Sequence, residues 1–120
     1  MTPPRIPEKA VQAQIVRFLR QIGGAVYVLG TVRRKADSHF GTMQTPGLPD
    51  LIAFAGRWCV FIEVKAKDGR RSDAQDAFAA HCAARGCEYV CGGLDEVLAW
   101  ARDKRLVDVT DYRLHGEVTE

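Results

Sequence analysis

GLPDLIAFAGRWCVFIEVKA, residues 47–66, is the stretch on which the fold turns. It contains two apolar runs, Leu51 to Ala55 and Trp58 to Ala66, joined by Gly56-Arg57, and runs of this kind across a two-residue turn predict a β-hairpin. Three charges interrupt the pattern: Asp50, Glu63 and Lys65. Side chains alternate along a strand, so Trp58, Val60, Ile62 and Val64 take one face while Phe61, Glu63 and Lys65 take the other. A turn at Gly56-Arg57 pairs Ala55 with Trp58 and, running outward, Asp50 with Glu63.

Cross-strand neighbours lie about 4.5–5.5 Å apart, close enough for two carboxylates to share one cation. Without one they repel, at a cost that rises steeply in a partly buried site. Mg2+ is commonly held by one or two carboxylates together with waters and phosphate oxygens. Lys65, beside Glu63 on the same face, would orient or deprotonate an attacking water or offset charge growing on phosphorus. These residues are the equipment of metal-assisted phosphodiester hydrolysis. The competing reading makes Asp50 a turn cap after Pro49, and Glu63 and Lys65 an ordinary surface pair worth about 0–1 kcal/mol. The apolar flanks on both faces weigh against it, because unpaired charges there are costly.

Outward from the hairpin, Val11, Ile15, Phe18, Leu19 and Ile22 recur at helical spacing and predict a helix from Pro7 to Ile22, closed by Gly23-Gly24. Glu8 falls on its apolar stripe, which predicts an inward carboxylate; an acid at the positive end of the helix dipole explains it as well. Residues 25–32 read as a strand, and residues 33–47, with Arg33, Arg34, Lys35 and His39, as a long loop of the kind that carries function. Ser72 with Gln75 forms a capping box for a helix running to Arg85 and stopped by Gly86. Gln75 also shares a face with Phe78, Ala79 and Cys82. A strand over Glu88 to Cys91, a helix over Leu94 to Arg102 and a further strand over Leu106 to Val109, with no assigned partner, complete the chain. The order predicts a mixed α/β sandwich on a central sheet.

At 120 residues and 47% hydrophobic, the chain suits one domain. No stretch approaches the roughly 18–20 apolar residues of a membrane span, and MTPPRIPEKA lacks a signal peptide's apolar run, so a soluble cytoplasmic protein is expected, with no membrane partner. The net charge of +2 hides an asymmetry: residues 1–71 hold 12 Lys/Arg against 5 Asp/Glu, and residues 72–120 hold 5 against 10. A polyanion would meet the first part. Cys59, Cys82, Cys87 and Cys91 follow no paired zinc spacing and read as reduced, mostly buried thiols.

Pro49-Asp50 followed, thirteen residues after the aspartate, by Glu63-Val64-Lys65 is similar to the PD-(D/E)xK nuclease motif. The ordered set is more specific. Glu8 and Gln12 in an opening helix, Gly47-Leu48-Pro49-Asp50-Leu51, Ile62-Glu63-Val64-Lys65, then Gly69 to Ser72 and Gln75 resemble the VRR-NUC family, most closely its small stand-alone members from bacteriophages and bacteria. The likeness covers about residues 7–102 of a single domain of residues 1–120, with 103–120 as a C-terminal extension. It implies a restriction-endonuclease-like core, a central mixed sheet flanked by helices in the order αβββαβα. It also implies a homodimeric, structure-selective endonuclease that cuts branched DNA of the Holliday-junction type with Mg2+ or Mn2+. Carried over by position, Asp50 and Glu63 would be metal ligands with the Val64 carbonyl, and Lys65 the catalytic lysine. Glu8 would reach the metal directly or through water, and Gln75 would position Lys65 or the nucleophile. Arg33, Arg34, Lys35, Lys67, Arg70 and Arg71 flank this set and would hold phosphates on either side of the scissile bond. His39 is a lone loop histidine without an assigned role. A flap or linear-duplex nuclease is the alternative within the same class. A non-catalytic nucleic-acid-binding module on a nuclease fold is the alternative outside it, opposed by the acidic pair, which would repel phosphate.

Overall fold

The structure is a computed structural model that describes residues 5–29 and 45–108. It contains α1 (Glu8–Gln21), β1 (Ala25–Val28), β2 (Leu51–Ala55), β3 (Trp58–Val64), α2 (Asp73–Arg85), β4 (Glu88–Gly92) and α3 (Leu94–Asp103). The four strands form one sheet in the order β1-β2-β3-β4. β2 runs antiparallel to both β1 and β3, and β4 runs parallel to β3. The hairpin explains the first arrangement and α2 the last, because a parallel neighbour needs a crossover and a helix supplies it.

The sheet alternates as the sequence requires. Leu51, Ala53, Ala55, Val60, Ile62 and Val64 are buried in a single cluster with Val11, Ile15, Phe18 and Leu19 of α1 and Val97, Leu98 and Ala101 of α3. Each fully buried aliphatic chain in such a cluster contributes about 1.5–3 kcal/mol. The other face carries α2, where Phe78 meets Phe61 edge-on at 5.2 Å and Tyr89 at 6.0 Å. Of α2 only Cys82 is buried, so the helix owes its ends to caps: Ser72 and Gln75 form the full capping box, and Gly86 closes it with φ 74°. The same face remains open over β1 and β2, where Tyr27 and Phe54 pair edge-on at 6.1 Å and stay exposed.

Three expectations change. Leu106 and Val107 form a bend and pack against the core, and no strand forms there among the described residues; Val109 lies outside them. The cause is local: Arg105 takes φ 60° and Leu106 N–H bonds the Ala101 carbonyl at 2.8 Å, which folds the chain back over α3. The third strand stops at Val64, since Ala66 to Gly69 close a turn through Gly69 N–H to Ala66 O at 2.8 Å. The cysteines are free, but only Cys82 is buried and Cys91 half-buried; Cys59 and Cys87 are exposed. Cys59 alternates with the core residue Val60 and so faces away from it.

Candidate active site

The observed register pairs Leu51 with Ile62, so the next step outward sets Asp50 beside Glu63. Asp50 is fixed at three points. Pro49 before it is fully buried, the Asp50 carbonyl accepts from Leu29 N–H at 2.8 Å, and Asp50 Oδ2 accepts from Val64 N–H at 2.8 Å. Glu63 is the buried charged residue of the described chain, at 3% exposure. Burial, first, and then the charge and hydrogen bonding of Asp50 push its carboxyl up to about 8; Lys65 pulls the other way, and Glu8 adds a smaller upward push. Glu63 Oε2 accepts from Gln75 Nε2 at 2.9 Å and lies 3.9 Å from Lys65 Nζ. Glu63 Oε1 is buried with no hydrogen-bond partner.

That orphaned oxygen is the informative atom. A buried polar group left unpaired costs about 1–3 kcal/mol, more when charged, and native structures rarely tolerate one without a proton, water or ion to satisfy it. Among the described residues no three His, Cys, Asp or Glu side chains are placed to hold a metal together, so the acidic donors at the centre are the pair itself. Two hard carboxylates, with the remaining positions left to water and phosphate, form a donor set that suits Mg2+ or Mn2+. The residues present therefore fit the ion that the sequence suggested.

Gln75 serves both of its sequence readings at once. Its Oε1 accepts from Ser72 N–H at 2.8 Å, completing the cap, while its Nε2 reaches Glu63. One amide has an acceptor and a donor end, so the two roles do not compete. Behind it stands Gly47, at φ 90°, where an added Cβ would lie 2.4 Å from the Ala74 carbonyl oxygen. The segment leading into Asp50 is thus seated directly on the first turn of α2, next to Gln75.

The other anticipated residues divide. Val64 is held at the centre through the hydrogen bond that its backbone N–H donates to Asp50 Oδ2. Glu8 is exposed, which corrects the inward carboxylate inferred from the helical stripe. Residues 5–10 are all exposed, so α1 meets the core only from Val11 onward, and Glu8 acts on Glu63 through charge at a distance. Lys67 and Arg70 are exposed; Lys67 lines, with Arg5, Lys65 and Leu94, a groove of about 900 Å³ beside Lys65. Arg71 is tied to Asp76 at 2.8 Å and lies over the Tyr89 ring at 5.9 Å. Arg33, Arg34, Lys35 and His39 fall outside the described residues.

The sequence reading missed the contribution of β4. Cys91 pairs in register with Glu63, and Tyr89 with Phe61. Burial raises the Cys91 thiol, Glu63 adds to the rise, and Arg71 and Lys65 oppose it, so charges of both signs surround this position. The signal was present in the order strand, helix, strand, which ordinarily makes the two strands parallel neighbours.

No protein-family model matches the sequence, and no curated protein matches it. A solved structure described as a VRR_NUC domain aligns with a TM-score of 0.59, covering 80% of this chain and 94% of that chain at 19% identity. The fold is that of a VRR_NUC domain. The α/β architecture expected from the sequence is thereby met, with its mixed four-stranded sheet and the order αβββαβα. At this identity the VRR_NUC likeness extends to the fold, and the chemistry rests on the residues themselves.

Proposed function

We propose that the protein is a divalent-metal-dependent endodeoxyribonuclease of the VRR-NUC family that hydrolyses phosphodiester bonds in branched DNA. In this reading it resolves Holliday-type junctions in the cytoplasm as a homodimer. The observation that carries the reading is the buried, orphaned Glu63 oxygen beside Asp50, with Lys65 and Gln75 on the other oxygen of the same carboxylate. Asp50 and Glu63 would hold Mg2+ or Mn2+, with the Val64 carbonyl and, through water, Glu8. The ion would supply Lewis-acid polarisation of the phosphate and lower the pKa of a nearby water.

The chain's own residues supply the rest. Gln75 fixes the Glu63 carboxylate in one orientation, and Asp50 is fixed by the Val64 amide, so the acidic centre is preorganised. The Lys65 ammonium orients the attacking water and offsets charge growing on the phosphate oxygens. Water adds to phosphorus as the P–O3′ bond breaks. One water proton ends on the O3′ leaving group, and the other stays with the 5′-phosphate until solvent takes it. Lys67 and Arg70, with Arg33, Arg34 and Lys35, would hold flanking phosphates without reading sequence.

The test is cleavage of a labelled four-way junction, a flap and a linear duplex in Mg2+ or Mn2+. Lys65→Ala and Asp50→Asn are expected to abolish cutting while DNA binding persists. Full activity in either purified variant would defeat the proposal, and binding without cutting by the wild type would favour a non-catalytic module.

A further inference from the structure

Among the basic residues that follow the Lys65 strand, Arg71 differs in kind. Lys67 and Arg70 are exposed, and no hydrogen bond or ion pair restrains them among the described residues. Arg71 is restrained twice. Its Nε donates to Asp76 Oδ1 at 2.8 Å, and its guanidinium lies 5.9 Å from the centre of the Tyr89 ring. Tyr89 is itself braced by Phe78 at 6.0 Å, and its buried hydroxyl faces the Arg71 guanidinium. An arginine confined in this way has less rotamer freedom left to lose on binding than a mobile one. With Nε committed to Asp76 and the guanidinium also engaging the Tyr89 hydroxyl, the terminal N–H groups left over are donors that suit phosphate oxygens.

Its position matters as much as its restraint. Tyr89 and Cys91 lie two residues apart on β4 and therefore share a face, and Cys91 is the register partner of Glu63. The guanidinium therefore lies over the β4 part of the sheet face that Glu63 shares, whereas Lys65 follows the end of β3.

We propose that Arg71 is a catalytic residue of this centre, its terminal guanidinium nitrogens taking non-bridging oxygens of the scissile phosphate, and that Asp76 and Tyr89 are its positioning residues. The inference rests on the nuclease reading above. Its chemical content is charge stabilisation in the transition state: the phosphate gains negative charge on its oxygens as water adds, and a preoriented fork answers that charge better than a mobile ammonium.

The experiment is single-turnover cleavage of the substrate the wild type cuts, with DNA affinity measured in an Asp50→Asn background and thermal stability recorded for each variant. Arg71→Ala is expected to lower the cleavage rate about 100-fold while affinity moves less than about 3-fold, and Arg71→Lys to restore little. Asp76→Asn is expected to lower the rate about 10-fold alone and by nothing further when combined with Arg71→Ala, because it acts through the arginine. Arg71→Ala and Gln75→Ala should remain additive, which a purely structural tether of the α2 N-terminus would not give. Cleavage within twofold of wild type by Arg71→Ala, or an undiminished Asp76→Asn effect in the Arg71→Ala background, overturns this inference alone. A wild type that binds these DNAs and cuts none overturns the nuclease reading, and this inference with it.

Discussion

At the residue scale, Glu63 holds a proton more readily than an ordinary glutamate does. The Glu63 carboxyl sits at about 8, above its ordinary value of 4.5, chiefly through burial. A folded-state pKa above the unfolded one means that the native chain binds the extra proton. Glu63 therefore supports the metal-free fold fully below about pH 4.5 and loses that support as pH rises through about 8. Melting curves in EDTA should show wild-type stability falling across this window, and Glu63→Gln should fall less steeply. Added Mn2+ should recover wild-type stability at pH 8, since the ion replaces the proton. Parallel pH profiles for the two proteins would contradict the buried-acid argument. Gln75→Ala removes a cap and a Glu63 donor together, so a stability loss of about 1 kcal/mol by denaturant titration should accompany weakened cleavage. The Asp50–Glu63 pairing was legible because a two-residue turn and a period of two leave no freedom in the register. Glu8 was not, because a helical stripe shows which way a residue points and says nothing of where the core ends.

At the scale of elements, the strands were written more plainly than the helix that serves them. α2 has almost no buried side, and its apolar positions would not have located it; Ser72, Gln75 and Gly86 did, through hydrogen bonds that only a helix terminus satisfies. The parallel seat of β4 and the proximity of Tyr89, Cys91 and Asp76 to the site were illegible from any single segment, since they arise only once the crossover has folded. Gly47→Ala tests the coupling between elements. With φ 90° and the Ala74 carbonyl 2.4 Å from the added carbon, the substitution should destabilise the fold by more than about 1 kcal/mol and displace Gln75. Cleavage should then fall even at temperatures where circular dichroism shows the chain folded. Ile15→Ala, at a fully buried position of α1 remote from the acids, should cost about 2–5 kcal/mol by denaturant titration, with cleavage retained below the lowered melting temperature.

For the molecule as a whole, the sheet divides the labour. α1 and α3 build the core on one face, and α2 closes the other beside the acidic end of β3. No helix among the described residues is long and apolar enough to cross a membrane. The basic excess of residues 1–71 lies in the part of the chain that carries Asp50, Glu63 and Lys65, so a polyanion would be drawn toward that part. Junction affinity should fall linearly on a log–log plot against salt, and Lys67→Ala with Arg70→Ala should reduce the slope by about 1–2. An unchanged slope would remove these two residues from the DNA path. Calorimetric titration of Mn2+ into the purified protein bears most directly on the acid pair. Wild type and Lys65→Ala should each bind one ion per chain at the central site, and Asp50→Asn and Glu63→Gln should lose it. Binding that is equal in all four proteins, or absent from the wild type, would contradict a metal centre built on Asp50 and Glu63.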